Sequence, residues 1–197
     1  MKDDAILREI NQSISVKQKM LEDVTLVNSV RQVADECVAA YRRANRVLLA
    51  GNGGSAADAQ HIAAEFVSRY AFDRPGLAAI AFTTDTSMLT AIGNDYGYDQ
   101  IFRRQLEANG RQGDVFIGIS TSGNSANVLT ALHCARELGI VAVGLTGQGG
   151  VKMQAFCDYC IKVPSMSTPR IQESHILLGH IICGIVEATL FGEQENR

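Results

Sequence analysis

Arg46-Val47-Leu48-Leu49-Ala50-Gly51-Asn52-Gly53-Gly54-Ser55 is the stretch on which the reading of the whole chain turns. An apolar run breaks into glycines and a serine, and Ala56 to Val67 follow with helical composition. Continuous rather than alternating apolarity marks a strand covered on both faces, and a strand passing through a tight turn into a helix opens a βαβ unit. The same pattern recurs at Leu77–Phe82, Asp114–Ile119, Ile140–Leu145 and Tyr159–Val163, with helical segments between. Five strands joined by helical crossovers predict a parallel sheet in a three-layer, doubly wound α/β fold. In such sheets ligands bind beyond the carboxyl ends of the strands, where the strand order reverses. Functional residues are therefore expected just after each strand.

Working outward, residues 1–45 read as a helical arm of two helices. Ile6, Ile10 and Ile14 form one apolar stripe, and Val30, Val33, Ala34, Cys37, Val38 and Tyr41 form a second. An amphipathic arm ahead of the first strand has no sheet yet to cover, which predicts packing partly on another subunit. Residues 46–192 make the ligand-binding domain and 193–197 a polar tail. The last helix is expected to start with Thr168 as N-cap and Pro169 at its first position. From Ile171 to Leu190 it is apolar on nearly every face, so it must be buried all round, again predicting a subunit interface.

The 197 residues suffice for one α/β domain with a real core. A net charge of −3 argues against nucleic-acid binding, which needs a basic face to neutralise phosphates. A phosphorylated small molecule needs only a few aimed donors. No apolar leader follows Met1 and no stretch reads as a membrane span, so a cytoplasmic protein is expected. Five cysteines at scattered spacing fit that compartment, and the Cys157/Cys160 pair is read as buried structural thiols.

Two turns carry the chemistry. In Gly51-Asn52-Gly53-Gly54-Ser55 the glycines permit positive φ and close approach to a ligand, and Ser55 stands where unpaired helix N–H groups attract an anion. A tight turn with a serine N-cap is the plainer reading. Ser120-Thr121-Ser122-Gly123-Asn124-Ser125 repeats the arrangement after the third strand, surrounding one point with hydroxyl and amide donors but no lysine. Two such turns on one sheet edge point to a phosphate held by neutral donors. His61 and Glu65 lie four residues apart on the helix that starts at the first turn, a spacing that suits a metal or a base with its orienting partner. Gln172, Glu173, His175 and His180 are the polar residues of the last helix. Gln172 and His180 are eight residues apart, roughly 12 Å of helix, so they meet one small ligand only through a reaching side chain, a bend near Gly179, or two subunits. His133 is read as structural. The loop after the second strand holds Thr83–Ser87, then Asn94 and Asp95, residues equally suited to sugar hydroxyls and to turns.

Taken together, Gly51–Ser55 with His61 and Glu65, Ser120–Ser125, and Arg170-Ile171-Gln172-Glu173 with His180 resemble the sugar isomerase (SIS) domain family over essentially the whole length. The His61/Glu65 and Gln172/His180 set resembles its phosphoheptose isomerase branch. The resemblance implies a flavodoxin-like SIS fold, a cytoplasmic homotetramer with active sites between subunits, and one Zn2+ per subunit on His61, Glu65, Gln172 and His180. It implies substrate contacts at Asn52, Gly53, Gly54, Ser55, Glu65, Asn94, Asp95, Ser120, Thr121, Ser122, Ser125 and Gln172. The implied reaction turns D-sedoheptulose 7-phosphate into D-glycero-D-manno-heptose 7-phosphate, for lipopolysaccharide core or capsule. Pro169 departs from relatives with an acidic residue there. An aldose–ketose exchange through an enediol needs a base and an acid, which makes Glu65 and His180 the expected catalytic pair. The rival reading is a non-catalytic SIS tetramer that binds the replication initiator protein. Such a scaffold has no use for the His61, Glu65, Gln172, His180 set.

Overall fold

The computed structural model describes residues 4–192. The tail expected at 193–197 lies outside the described residues. Its sheet holds five parallel strands, β1 (Val47–Gly51), β2 (Ala79–Ala81), β3 (Val115–Ile119), β4 (Val141–Gly147) and β5 (Tyr159–Val163), in the order β2-β1-β3-β4-β5. The helices are α1 (Ala5–Glu22), α2 (Val24–Arg42), α3 (Gly54–Val67), α4 (Thr86–Tyr96), α5 (Ile101–Asn109), α6 (Ala126–Glu137), α7 (Val151–Gln154) and α8 (Thr168–Phe191). A 3-10 turn at Tyr98–Gln100 joins α4 to α5.

Alternation along each strand explains the three layers. Val47 and Leu49 of β1 point into a core shared with α1, α2, α3 and α8, while Leu48 and Ala50 point into a second core with α5 and α6. All four are fully buried, as continuous apolarity requires. The order reverses between β1 and β3, whose ends are in register as Gly51 beside Ile119, so the two serine turns open side by side at the crevice.

Several boundaries differ from expectation. β2 covers three residues rather than the stretch 77–82, because it is the sheet's edge and is only partly covered. The polar segment after it is a helix: Asp85 accepts the Met88 amide at 2.8 Å and starts α4, which carries Asn94 and Asp95 in its last turn. The α8 N-cap is Ser167, with Pro169 one place later than expected and no side-chain cap. Cys157 and Cys160 are half-buried free thiols rather than buried ones, whereas Cys37, Cys134 and Cys183 are buried. His133 is exposed and lies 3.5 Å from Glu137.

The arm is tied to the domain unevenly. Asp23 ends α1 and caps α2, accepting the Leu26 amide at 2.9 Å, and α2 packs Val30, Val33, Ala34 and Cys37 into the core. On α1 only Val16 and Met20 are buried, and Ile6, Ile10 and Ile14 stay exposed.

By length and composition α8 is apolar enough to cross a membrane, contrary to expectation. Its place is the reason for its apolarity: it lies between α2 and α3, with Leu178, Ile182 and Val186 in the core. At Gly179 α3 packs tightly against it, since a Cβ there would sit 2.5 Å from Ile62 Cδ1.

Candidate active site

Three close approaches set α8 along α3. The Gln172 amide lies against Gly54, Ile62 against Gly179, and Tyr70 against Gly184, so the two helices run in the same direction. This brings His61 and Glu65 of α3 to His180 of α8 within a single chain. The Nε2 atoms of His61 and His180 are 2.8 Å apart, and Glu65 Oε1 is 3.3 Å from His61 Nε2. Ligand atoms from these three side chains all lie within 4.8 Å of one another. The tautomers are not fixed by these distances. Two imidazoles and a carboxylate converging on one point form a donor set suited to a catalytic divalent zinc, with a coordination position left over. The residues fit the implied metal.

Gln172 stands elsewhere in this arrangement. Its amide meets Gly54, seven residues before His61 on α3, or roughly 10 Å of helix rise. It therefore joins the glycine turn to α8 in this chain rather than the His61, Glu65 and His180 cluster.

The first turn is built by backbone geometry. A Cβ on Gly51 would lie 2.6 Å from the Ser55 carbonyl oxygen, and Gly53 adopts φ +55, where only glycine is at ease. Gly53 is the N-cap of α3 and makes no side-chain cap, and Ser55 is buried one position inside the helix. The serine N-cap of the plainer reading is absent. The second turn behaves alike: Ser125 holds the N-cap position of α6, but its hydroxyl pairs with Ser120 at 2.9 Å instead of capping. Ser122 Oγ accepts the Asn124 amide at 3.2 Å, and the Thr121 carbonyl accepts the Gly147 amide at 3.1 Å. Both helices thus start with amide groups that no cap side chain satisfies, facing the same crevice.

An unforeseen contact joins the turns. Asn52 and Asn127 exchange side-chain amide hydrogen bonds, both 2.9 Å, and Tyr98 donates its hydroxyl to Asn52 Oδ1 at 3.0 Å. Asn52, Gly53, Thr83 and Tyr98 line a small cleft at this point. The Asn52 side chain is thus occupied in holding the two turns together, which leaves the backbone of residues 52–54 to face a ligand. Asn94 and Asp95 are exposed and bonded to each other at 2.8 Å, and it is Tyr98 that reaches the first turn. Sequence reading missed Tyr98 and Asn127. Only the position of Asn127 in the first turn of α6, beside the serine cluster, could have suggested it.

Charged and buried groups around the site are shifted in recognisable ways. Burial pushes the Asp58 carboxyl up, against the pull of His61. Burial pushes His175 down to about 4; the Thr146 backbone faces the ring without a well-formed hydrogen bond. Glu173, next to Gln172 on α8, pairs with Lys17 of α1 at 2.8 Å and with Arg170.

Comparison with known proteins places this geometry. The SIS domain family matches residues 12–147. A phosphoheptose isomerase of Aneurinibacillus thermoaerophilus is 63% identical over 95% of each chain, and phosphoheptose isomerase 2 of Campylobacter jejuni is 62% identical over 92% of this chain and 90% of its own. The solved phosphoheptose isomerase of Neisseria gonorrhoeae superposes with a TM-score of 0.88 at 44% identity, covering 95% of this chain and 100% of its own. With its parallel SIS-type sheet and relatives matched along nearly their whole length, the chain belongs to the SIS domain family and, within it, to the phosphoheptose isomerases.

Proposed function

We propose that the chain interconverts D-sedoheptulose 7-phosphate and D-glycero-D-manno-heptose 7-phosphate, feeding heptose to lipopolysaccharide core or capsule. The observation that carries this reading is the convergence of His61, Glu65 and His180 beside a helix that starts at an uncapped glycine–serine turn. The turn amides of residues 52–54 and the hydroxyls of Ser55, Ser120, Thr121, Ser122 and Ser125 take the phosphate, with Asn94 and Asp95 toward the sugar hydroxyls. Glu65 removes a proton from C1 of the ketose while His180 hands one to the C2 carbonyl oxygen, giving the enediol. Glu65 then returns its proton to C2 and His180 collects the one on O1, which leaves the aldose. His61, Glu65, His180 and a re-aimed Gln172 would hold the zinc, which would supply Lewis-acid stabilisation of the developing oxyanion, with Glu65 and His180 moving protons through the carboxylate oxygen and ring nitrogen not on the metal.

In this reading residues 1–45 form an arm on the domain 46–192, and the working unit is a cytoplasmic homotetramer. The apolar stripe of Ile6, Ile10 and Ile14 and the half-exposed Leu177 and Ile181 are faces that neighbouring subunits would cover. Relatives this similar carry isomerase names, which disfavours the non-catalytic scaffold.

The test is incubation with sedoheptulose 7-phosphate, with and without a chelator, following the aldose by NMR. Glu65→Gln is expected to lower kcat at least about a thousandfold, some 4 kcal/mol in the barrier, while sugar-phosphate binding persists. An active Glu65→Gln enzyme would remove Glu65 from its role.

A further inference from the structure

Two turns beyond His180 on α8, Glu187 is buried against Arg74, with both side chains 1% exposed and Nε 3.0 Å from Oε1. The pair is fully engaged. Glu187 accepts the Tyr70 amide at 2.9 Å on Oε1 and the Ala71 amide at 2.6 Å on Oε2. Arg74 donates from Nη2 to the Glu65 carbonyl at 2.8 Å and from Nη1 to the Phe66 carbonyl at 2.6 Å. Those carbonyls belong to the last turn of α3, where no intrahelical donor remains, so the guanidinium serves as the cap of that end. Burial alone would raise the Glu187 carboxyl, but the two amides and Arg74 outweigh it and hold it below its usual range.

The same contacts reach both halves of the candidate site. One bond holds the backbone of Glu65 itself. On the other side, the amide of Tyr70 is fixed to Glu187, and the Tyr70 ring lies 5.7 Å from the His180 ring. Gly184 leaves room for it, since a Cβ there would sit 3.1 Å from Tyr70 Cε1. An apolar pair of equal volume could fill this space, but it would strand the four backbone groups that the ion pair satisfies. It could not fix four backbone groups of α3 and the segment after it relative to α8.

We propose that Arg74 and Glu187 are positioning residues that set the spacing of Glu65 and His180, and with it the affinity for the divalent cation and the rate of proton transfer. This rests on the reading of His61, Glu65 and His180 as the metal and proton-transfer site. Residues that orient metal-binding groups typically change affinity about 10–100-fold when altered.

The experiment compares the wild-type chain with Glu187→Gln, Arg74→Lys and Tyr70→Leu. Zinc affinity is measured by competition with a chromogenic chelator, alongside kcat, KM, inhibition by inorganic phosphate, and thermal melting. Glu187→Gln is expected to weaken zinc and lower kcat by about tenfold or more, with KM and phosphate inhibition within about twofold because the serine turns lie at the far end of α3. Arg74→Lys keeps the charge and should show smaller losses of both than Glu187→Gln. Tyr70→Leu leaves the ion pair in place and should weaken zinc by about threefold, so it carries the test if the buried variants fail to fold. Wild-type zinc affinity in the folded variants, whatever their melting temperature, overturns the proposal. A wild-type chain that neither takes zinc nor isomerises the sugar overturns the functional reading as well, and the two failures are thus told apart.

Discussion

The turns after β1 and β3 look like copies in sequence, yet they are held by different means. In the first, backbone is tight at Gly51 but the tip is open, since a Cβ on Gly53 would meet nothing within 4 Å, and that tip is held by side chains reaching it: Asn127, Tyr98 and Gln172. In the second, Gly123 has φ +65 and a Cβ there would collide with Gly150 and lie 2.8 Å from Thr146 Oγ1, so backbone of the β4–α7 connection wedges it. One turn is braced from a distance and the other is walled in. Sites built in the first way lose affinity when a brace is removed. Those built in the second way lose their fold when anything is added.

The largest effect expected from this contrast is at Gly123. Gly123→Ala combines a left-handed backbone with overpacking, and should destabilise the chain by about 3 kcal/mol in a urea titration. Next comes acid. His175 lies beneath the second turn beside Thr146, and its folded value of about 4 is below its usual 6.5. The unfolded chain therefore takes up the proton more readily, so this contribution is complete above pH 6.5 and drains as the pH falls toward 4. By pH 5 the loss amounts to about 2 kcal/mol, and the fall in urea midpoint between pH 7 and pH 5 should shrink in His175→Leu.

A smaller effect is expected at the first turn's brace. Asn127→Leu strands the Asn52 amide and should raise KM for the sugar phosphate about tenfold, near 1.4 kcal/mol, with kcat little changed. Least severe is Gly53→Ala, which meets open space and should cost about 1 kcal/mol of stability through φ alone. If Gly53→Ala proves as damaging as Gly123→Ala, the contrast between the turns fails.

What sequence could and could not disclose follows from range. The strands and both serine turns were legible because their signals, apolar runs and glycine–serine clusters, are local. The helix at 86–96 was not, since Thr86, Ser87, Asn94 and Asp95 favour turns and only the Asp85 cap and packing on α5 override them. His61 and Glu65 announced themselves by spacing on one helix, but their meeting with His180 depends on the direction in which α8 passes α3, which no local pattern encodes. The Arg74–Glu187 pair spans 113 residues and leaves no trace in either neighbourhood.

That common direction of α3 and α8 has an electrical side. Parallel neighbours place their positive N-terminal ends together, each carrying roughly half an elementary charge, and their negative ends together as well. The guanidinium of Arg74 answers this at the far end of α3. A phosphate dianion would answer it at the near end, where Gln172 meets Gly54. Ligand and fold are then partners in one electrostatic arrangement, each easing the repulsion that would otherwise push the two helices apart.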